Sequence, residues 1–327
     1  MTVPFERAAV LGLGQIGGSL LHALRAGGVD TIGYDTDADT AAAASTAGFT
    51  VAPDDAAALR DADLVVLAMP LPQVIDALRS AAPHIATGAV LTDVGTLKSP
   101  VRDAVRKHAP QTMFVGGHPL AGVEETGWAA ATPDLFRDAP WALTLEDDTD
   151  LDAWLRVAAL VCDLGARPVP TTAADQDAAV ARVIGLPHVL AEALALTGLH
   201  GGPLGLSLAA GSYRSGSRVA RTRPELVSTW CDGNPALVDA LDDAIARLAQ
   251  ARDALAAAGS VLPLARAGHR ARIEWEQRRV EPVQIDGDAD QLRALGRQGG
   301  WVTAVVPAPD AERGVRLLGR RPAASAG

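Results

Sequence analysis

The sequence predicts a doubly wound Rossmann domain of the α/β class, followed by an all-α dimerisation domain and a small β-α-β appendage. Three observations carry this. Short apolar runs alternate with helical periodicity through roughly the first 170 residues. A glycine-rich turn, Gly12-Leu13-Gly14-Gln15-Ile16-Gly17, follows the first of those runs. From Thr171 the pattern changes to long Ala- and Leu-rich helical stretches with few strand signals. At 327 residues the chain is long enough for two domains with separate cores.

Ala8 to Leu13 is an apolar run ending in the glycine turn, and Gly17 to Ala26 carries helical spacing through Leu20, Leu21 and Leu24. Thr31 to Tyr34 is a second strand, Asp39 to Ala47 a helix and Asp63 to Ala68 a buried strand. Val74 to Ala82 is helical, Ala89 to Asp93 extended, Pro100 to Ala109 helical and Met113 to Gly116 extended. Continuously apolar strands between amphipathic helices indicate a parallel sheet covered on both faces. Trp141 to Leu145 and Ala166 to Val169 supply further strands around a helix from Leu151 to Leu164, which closes a first domain at residues 1–170.

The second domain, 171–327, rests on two helical stretches, Asp177 to Leu196 and Pro235 to Ala258. Both are too apolar for the surface of so small a domain, which predicts mutual burial in a homodimer. Within that domain, 280–306 reads as the β-α-β appendage and 307–327 as a flexible tail.

A formal net charge of −10 argues against nucleic-acid partners and favours a cytoplasmic protein. Cys162 and Cys231 stand far apart in no ligand spacing, which predicts two reduced thiols and no metal. No signal-peptide pattern opens the chain, and no uninterrupted apolar run reaches the ~20 residues of a membrane span, so no membrane is expected.

The glycine turn follows a strand and opens a helix, as dinucleotide binding requires. Gly12 permits the turn, Gly14 lets the backbone approach a pyrophosphate, and Gly17 allows helix and strand to pack closely. Gln15 and Ile16 bring the first helical N–H groups to the phosphates. Asp35, ending the second strand, accepts hydrogen bonds from a ribose 2′-hydroxyl and repels a 2′-phosphate. Thr36, Asp37, Ala38 and Asp39 include no cation to hold that phosphate, so NAD is expected rather than NADP. Met69, Pro70 and Leu71, after the next parallel strand, extend the cofactor set. His118, within Gly116-Gly117-His118-Pro119-Leu120-Ala121-Gly122, puts an imidazole that can exchange a proton near neutral pH in a loop of small residues. Together these features predict an enzyme that moves a hydride while His118 manages a proton.

In order along the chain, five segments resemble the prephenate/arogenate dehydrogenase family of tyrosine biosynthesis. They are the turn from Gly12 continuing to Gly18-Ser19, Asp93-Val94-Gly95-Thr96-Leu97-Lys98, and Gly117 to Gly122 continuing to Glu124 and Gly127. Leu186-Pro187-His188 and Ser217-Arg218-Val219-Ala220, followed by Asn234, complete the set. The likeness runs from residue 7 to about 255. It implies NAD-dependent oxidative decarboxylation of prephenate to 4-hydroxyphenylpyruvate, or of arogenate to tyrosine, by a dimer. It also implies His118 and Thr96 as catalytic residues, with Arg218, His188 and Gly122 binding substrate. A guanidinium suits a carboxylate because it binds bidentately with a permanent charge.

Five positions depart from the family pattern. Thr96 stands where Ser is usual, Ile184-Gly185 where Ser-His is common, Gln176 where His is frequent and Val227 where Trp is frequent. Other two-domain dehydrogenases share the glycine turn. The hydroxyacid type, however, needs a lysine early in its second domain, and Asp177 to Leu206 contains none. A non-catalytic NAD(H)-binding regulator is the alternative from another class. The appendage is about half the length of a regulatory ACT domain.

Overall fold

The computed structural model describes residues 4–122, 125–311 and 313–323, so Glu124 of the His118-loop motif lies outside the described residues. The chain forms two compact units, Met1–Gln176 together with Val280–Gly327, and Asp177–Arg279.

The first unit opens with β1 (Arg7–Leu11), α1 (Gln15–Ala26), β2 (Asp30–Tyr34), α2 (Ala38–Thr46), β3 (Thr50–Val51), α3 (Asp55–Leu59) and β4 (Leu64–Leu67). It continues through α4 (Leu71–Ala81), β5 (Val90–Asp93), α5 (Ser99–His108) and β6 (Met113–Val115). These strands form one parallel sheet in the order β3-β2-β1-β4-β5-β6. Successive strand residues point to opposite faces. Val10, Leu64, Val66 and Val90 therefore feed one core, while Leu11, Val65, Leu67 and Leu91 feed another. Asp37 and Asp54 cap the N-termini of α2 and α3 by accepting from Thr40 N and Ala57 N. Each such cap is worth about 0.5–2 kcal/mol.

After β6 the chain leaves the sheet. The next strands, β7 (Gly117–Pro119), β8 (Pro140–Thr144) and β9 (Arg167–Thr171), form a separate mixed sheet, with α6 (Leu151–Asp163) between β8 and β9. β7 runs antiparallel to β8, and β9 parallel to it. Gly116 and Gly117 make the departure possible. A Cβ at Gly116 would lie 2.8 Å from Thr144 Oγ1, and one at Gly117 would lie 2.5 Å from the Asp93 carbonyl oxygen.

Then come α7 (Ala173–Val180), a π-helical segment (Ala181–Gly185) and α8 (Leu186–Leu199). Pro187, in the first turn of α8, has no N–H to donate, and the wider π turn ahead of it accommodates that loss. The second unit continues with α9 (Gly202–Ser207), α10 (Gly211–Gly216), α11 (Pro224–Cys231), α12 (Ala236–Ala258) and α13 (Leu262–Glu276). Little of it is buried in a single chain: α12 buries Leu237 and Ala240, and α13 buries nothing. Among the described residues, Ala173–Leu199 is long and apolar enough to cross a membrane by length and composition. Gln176, Arg182, His188 and Glu192 interrupt that stretch, so the sequence shows no unbroken apolar run there.

The C-terminal region corrects two expectations. β10 (Val280–Ile285), α14 (Ala289–Arg297), β11 (Trp301–Pro307) and β12 (Val315–Pro322) belong to the first unit, not to a helical domain spanning 171–327. Ile285, Leu292, Leu295, Val302 and Leu317 join the core that holds Val10 and Leu64, and α14 lies against β9. The stretch expected as a flexible tail instead contains β12, the central strand in the order β10-β12-β11. Its arginines mislead at the sequence level. Arg316 pairs with Asp286 and Asp310, and Arg321 with Glu281, while Leu317 turns into the core.

Candidate active site

Four of the turns at the carboxyl end of the parallel sheet carry predicted site residues. Gly12 follows β1, Asp35 follows β2, Met69 and Pro70 follow β4 and lead into Leu71 at the start of α4, and Thr96 follows β5. Ligands of open α/β sheets bind along that edge.

The glycine turn has the shape of a phosphate cradle. Gly12 adopts a φ of +92°, and a Cβ there would lie 2.5 Å from the Ala68 carbonyl oxygen. A Cβ at Gly17 would lie 1.8 Å from the Gly12 oxygen, so α1 packs against the turn only because the residue is glycine. At Gly14, by contrast, a Cβ would meet nothing within 4 Å, which leaves that backbone approachable. No side chain caps α1 and no acid lies in its first turn, so its positive dipole end is not neutralised locally.

The Asp35 carboxylate accepts from Leu13 N at 2.6 Å and from Asp37 N at 2.9 Å. It thereby ties the end of β2 to the glycine turn, and a carboxylate's remaining lone pairs can still accept from a ribose. Gly122 is exposed beside the same turn, where a Cβ would lie 3.5 Å from Gln15 Oε1. Gln15 Nε2 donates to the Glu125 carbonyl at 2.9 Å, and Thr132 N donates to Ser19 Oγ at 3.0 Å. The segment beyond the His118 loop is thus fastened along α1.

His118 lies on β7 opposite Ala142 and is buried. Its Nδ1 is 2.7 Å from Gln176 Nε2, and Gln176 is itself buried on α7. Beneath it the Lys98 ammonium binds the Asp93 carboxylate and donates to the Gly117 carbonyl at 2.6 Å. Gly117 N in turn donates to Asp93 Oδ1 at 3.2 Å. Both polar backbone groups of the residue before His118 are therefore held by one buried ion pair. Burial lowers the His118 pKa to about 3, and the Lys98 charge acts in the same direction. The imidazole is neutral at physiological pH, as a proton acceptor must be. Burial pushes the Asp93 carboxyl upward, opposed by Lys98 and by the N–H groups of Gly95 and Gly117. In the sequence, Asp93 and Lys98 stand within a family motif without an evident role. The legible signal was a lysine in an apolar strand–turn segment.

The second unit brings His188 and Arg218 together. His188 is buried on α8 and lies against Trp230, with ring centroids 4.9 Å apart and the planes tilted by 53°. Burial lowers its pKa, and the Arg218 charge adds to that effect. Arg218 is exposed at the start of a 3-10 turn, Arg218–Arg221, that packs on α8. Tyr213 braces this region by donating to the Ala195 carbonyl at 3.1 Å. Asn234 is structural: its Nδ2 donates to the Asp177 carbonyl at 2.9 Å and its Oδ1 accepts from Ala236 N.

A dinucleotide-binding sheet with a buried neutral histidine near its carboxyl edge, followed by a helical domain, defines a two-domain oxidoreductase. The nucleotide-binding domain of prephenate dehydrogenase matches residues 20–169, and the dimerization domain of the same enzyme matches 172–260. A cyclohexadienyl dehydrogenase from Zymomonas mobilis is 34% identical over 78% of this chain and 90% of its own length. A prephenate dehydrogenase from Bacillus subtilis is 32% identical over 68% of this chain, which spans only 61% of that longer protein. A solved structure from Corynebacterium glutamicum is 41% identical with a TM-score of 0.78, covering 83% of this chain and 89% of the other. The chain belongs to the prephenate dehydrogenase family.

Proposed function

We propose that the protein is a homodimeric, NAD-dependent prephenate dehydrogenase that forms 4-hydroxyphenylpyruvate by oxidative decarboxylation. The observation that carries this reading is His118, buried and neutral near the carboxyl edge of a sheet whose first turn is a glycine cradle approachable at Gly14. Gly12, Gly14, Gln15, Ile16 and Gly17 would hold the pyrophosphate, and Asp35 the adenosine ribose. NAD, when bound, supplies the acceptor for the hydride leaving ring C4.

His118 accepts the C4 hydroxyl proton as that carbon is oxidised. Loss of the C1 carboxylate as carbon dioxide then sends its electron pair into the ring, which aromatises. The resulting phenolate oxygen takes the proton back from His118, so no net proton is released. Thr96 contributes a hydroxyl at the β5 turn, and Arg218 and His188 are assigned to the substrate's carboxylates and ring. The absence of Lys and Arg from 36–39 supports NAD over NADP.

The exposed apolar side chains of the second unit support the dimer. Among the described residues, all the exposed large hydrophobics except Leu120 lie between Val183 and Trp275. The dimerization-domain match covers most of that span. Cys162 and Cys231 are unpaired, which suits a reducing, cytoplasmic setting. The test is absorbance at the reduced-nicotinamide band with prephenate and arogenate, each against NAD and NADP. Turnover of prephenate with NAD is expected. A marked preference for arogenate would reassign the substrate, and cofactor binding without turnover of either would make the protein a nucleotide-responsive regulator.

A further inference from the structure

His118 has one side-chain partner for Nδ1, the carboxamide of Gln176 at 2.7 Å, and both residues are buried. A neutral imidazole carries its proton on one nitrogen only. With Nδ1 facing Gln176, Nε2 is the nitrogen left to meet a substrate hydroxyl. To accept a proton there, Nε2 must hold a lone pair, so Nδ1 must carry the hydrogen and donate it. The group that can accept it is the Gln176 carbonyl oxygen. A carboxamide presents Oε1 or Nε2 in nearly the same volume, and a half-turn about its terminal bond exchanges them. As placed, Nε2 faces the ring, which corresponds to the other tautomer.

We propose that Gln176 is a positioning residue that selects the His118 tautomer, its Oε1 accepting from Nδ1–H in the reactive state so that Nε2 is the base. This rests on the reading of His118 as the proton acceptor. The choice of an uncharged partner has a physical consequence. The charged groups facing this region are Lys98 and Asp93, which neutralise each other beneath β7; Asp175, beside Gln176 on α7, is exposed. A carboxamide orients the ring without adding an anion that would stabilise the imidazolium. It leaves the acceptor neutral while still satisfying the buried N–H, which would otherwise cost a full desolvation penalty.

The experiment has a spectroscopic arm and a kinetic arm. Nitrogen-15 NMR of histidine-labelled enzyme, with His118 assigned by its loss in His118→Asn, reads the ring tautomer directly. In the wild type Nδ1 should show the protonated and Nε2 the unprotonated shift. Gln176→Leu should abolish that preference. In kinetics, Gln176→Leu should lower kcat by roughly 10- to 100-fold, the usual cost of removing a group that orients a functional imidazole, with little change in KM. Gln176→Glu should move the acid limb of kcat/KM to higher pH by about one unit or more, because its anion favours the imidazolium. Gln176→His, which retains an acceptor nitrogen, should recover much of the kcat lost in Gln176→Leu. A wild-type ring protonated at Nε2, or a tautomer and pH profile unchanged in Gln176→Leu and Gln176→Glu, would overturn the proposal. If the tautomer behaves as stated but His118→Asn keeps its kcat, the positioning role stands and the reading of His118 as the base fails.

Discussion

Lys98 and Asp93 show how much of this site is built from charged groups buried beneath the candidate residues. A lysine ammonium and a carboxylate are both taken out of water so that one glycine, Gly117, is gripped at its N–H and its C=O. Removing one partner leaves the other buried and uncompensated. Lys98→Met should therefore destabilise the protein by about 3–5 kcal/mol in denaturant unfolding, and a loss under about 1 kcal/mol would show that water already reaches Asp93. For the reaction, His118→Asn should lower kcat by about 10²–10⁴ with a smaller effect on KM. Arg218→Ala should do the reverse, raising KM more than it lowers kcat. Steady-state kinetics on both variants checks the contrast, and near-normal kcat in His118→Asn would send the search for the base to His188. The same histidine links stability to pH. Its pKa falls from an ordinary 6.5 to about 3 on folding, so below 6.5 the unfolded chain takes up a proton that the folded chain refuses. The wild type should lose stability as pH falls through that window, at up to roughly 1.4 kcal/mol per unit. His118→Asn should lose less between pH 6.5 and pH 5, and parallel losses in the two proteins would mean that this imidazole is solvated.

At the scale of elements, the motif segments were readable because each follows a local rule. The glycine turn sits between a strand and a helix, and the structure shows a clash for a side chain at Gly12 and Gly17 and open space at Gly14. The mixed sheet of β7, β8 and β9 was harder. Its strands look like further parallel strands until Gly116 and Gly117 allow the chain to turn away under Thr144. The C-terminal appendage was placed with the helical domain for a similar reason. Where α14 docks depends on a single close approach: a Cβ at Gly296 would lie 1.6 Å from the Pro170 carbonyl oxygen. Gly296→Ala should force α14 off β9 and lower stability by about 1–3 kcal/mol, the range for overpacking, measured by thermal unfolding. An unchanged midpoint would show that this contact is slack.

At the scale of the molecule, the helical unit leaves unpaired what a folded chain ordinarily hides. Leu196, Leu204, Leu208, Val238, Ile245 and Trp275 are all more than half exposed. An apolar surface of this kind marks an interface, and in the proposed homodimer a second copy would cover it without requiring any other partner. Light scattering should give twice the 33.6 kDa chain mass at all working concentrations. A stable monomer would leave those side chains facing water, and the membrane-length helix Ala173–Leu199 would then need another explanation.

The order of five motifs, through the family resemblance it carries, marked His118 and Arg218 as candidates. Alternation of apolar runs with helical spacing and a glycine turn were enough to predict a Rossmann domain followed by helices and to single out Asp35 as a candidate. These depend on local periodicity and backbone geometry, which neighbouring residues determine among themselves. The partners of those residues were decided elsewhere. Gln176 stands far along the chain from His118 and read only as a departure from a family pattern, until folding put its carboxamide 2.7 Å from the ring. Lys98 reached Gly117 across a sheet edge, and β12 entered between β10 and β11 despite its arginines. Long-range contacts of this sort are settled by which surfaces fit once water is excluded, and a one-dimensional pattern carries no distance between its distant parts.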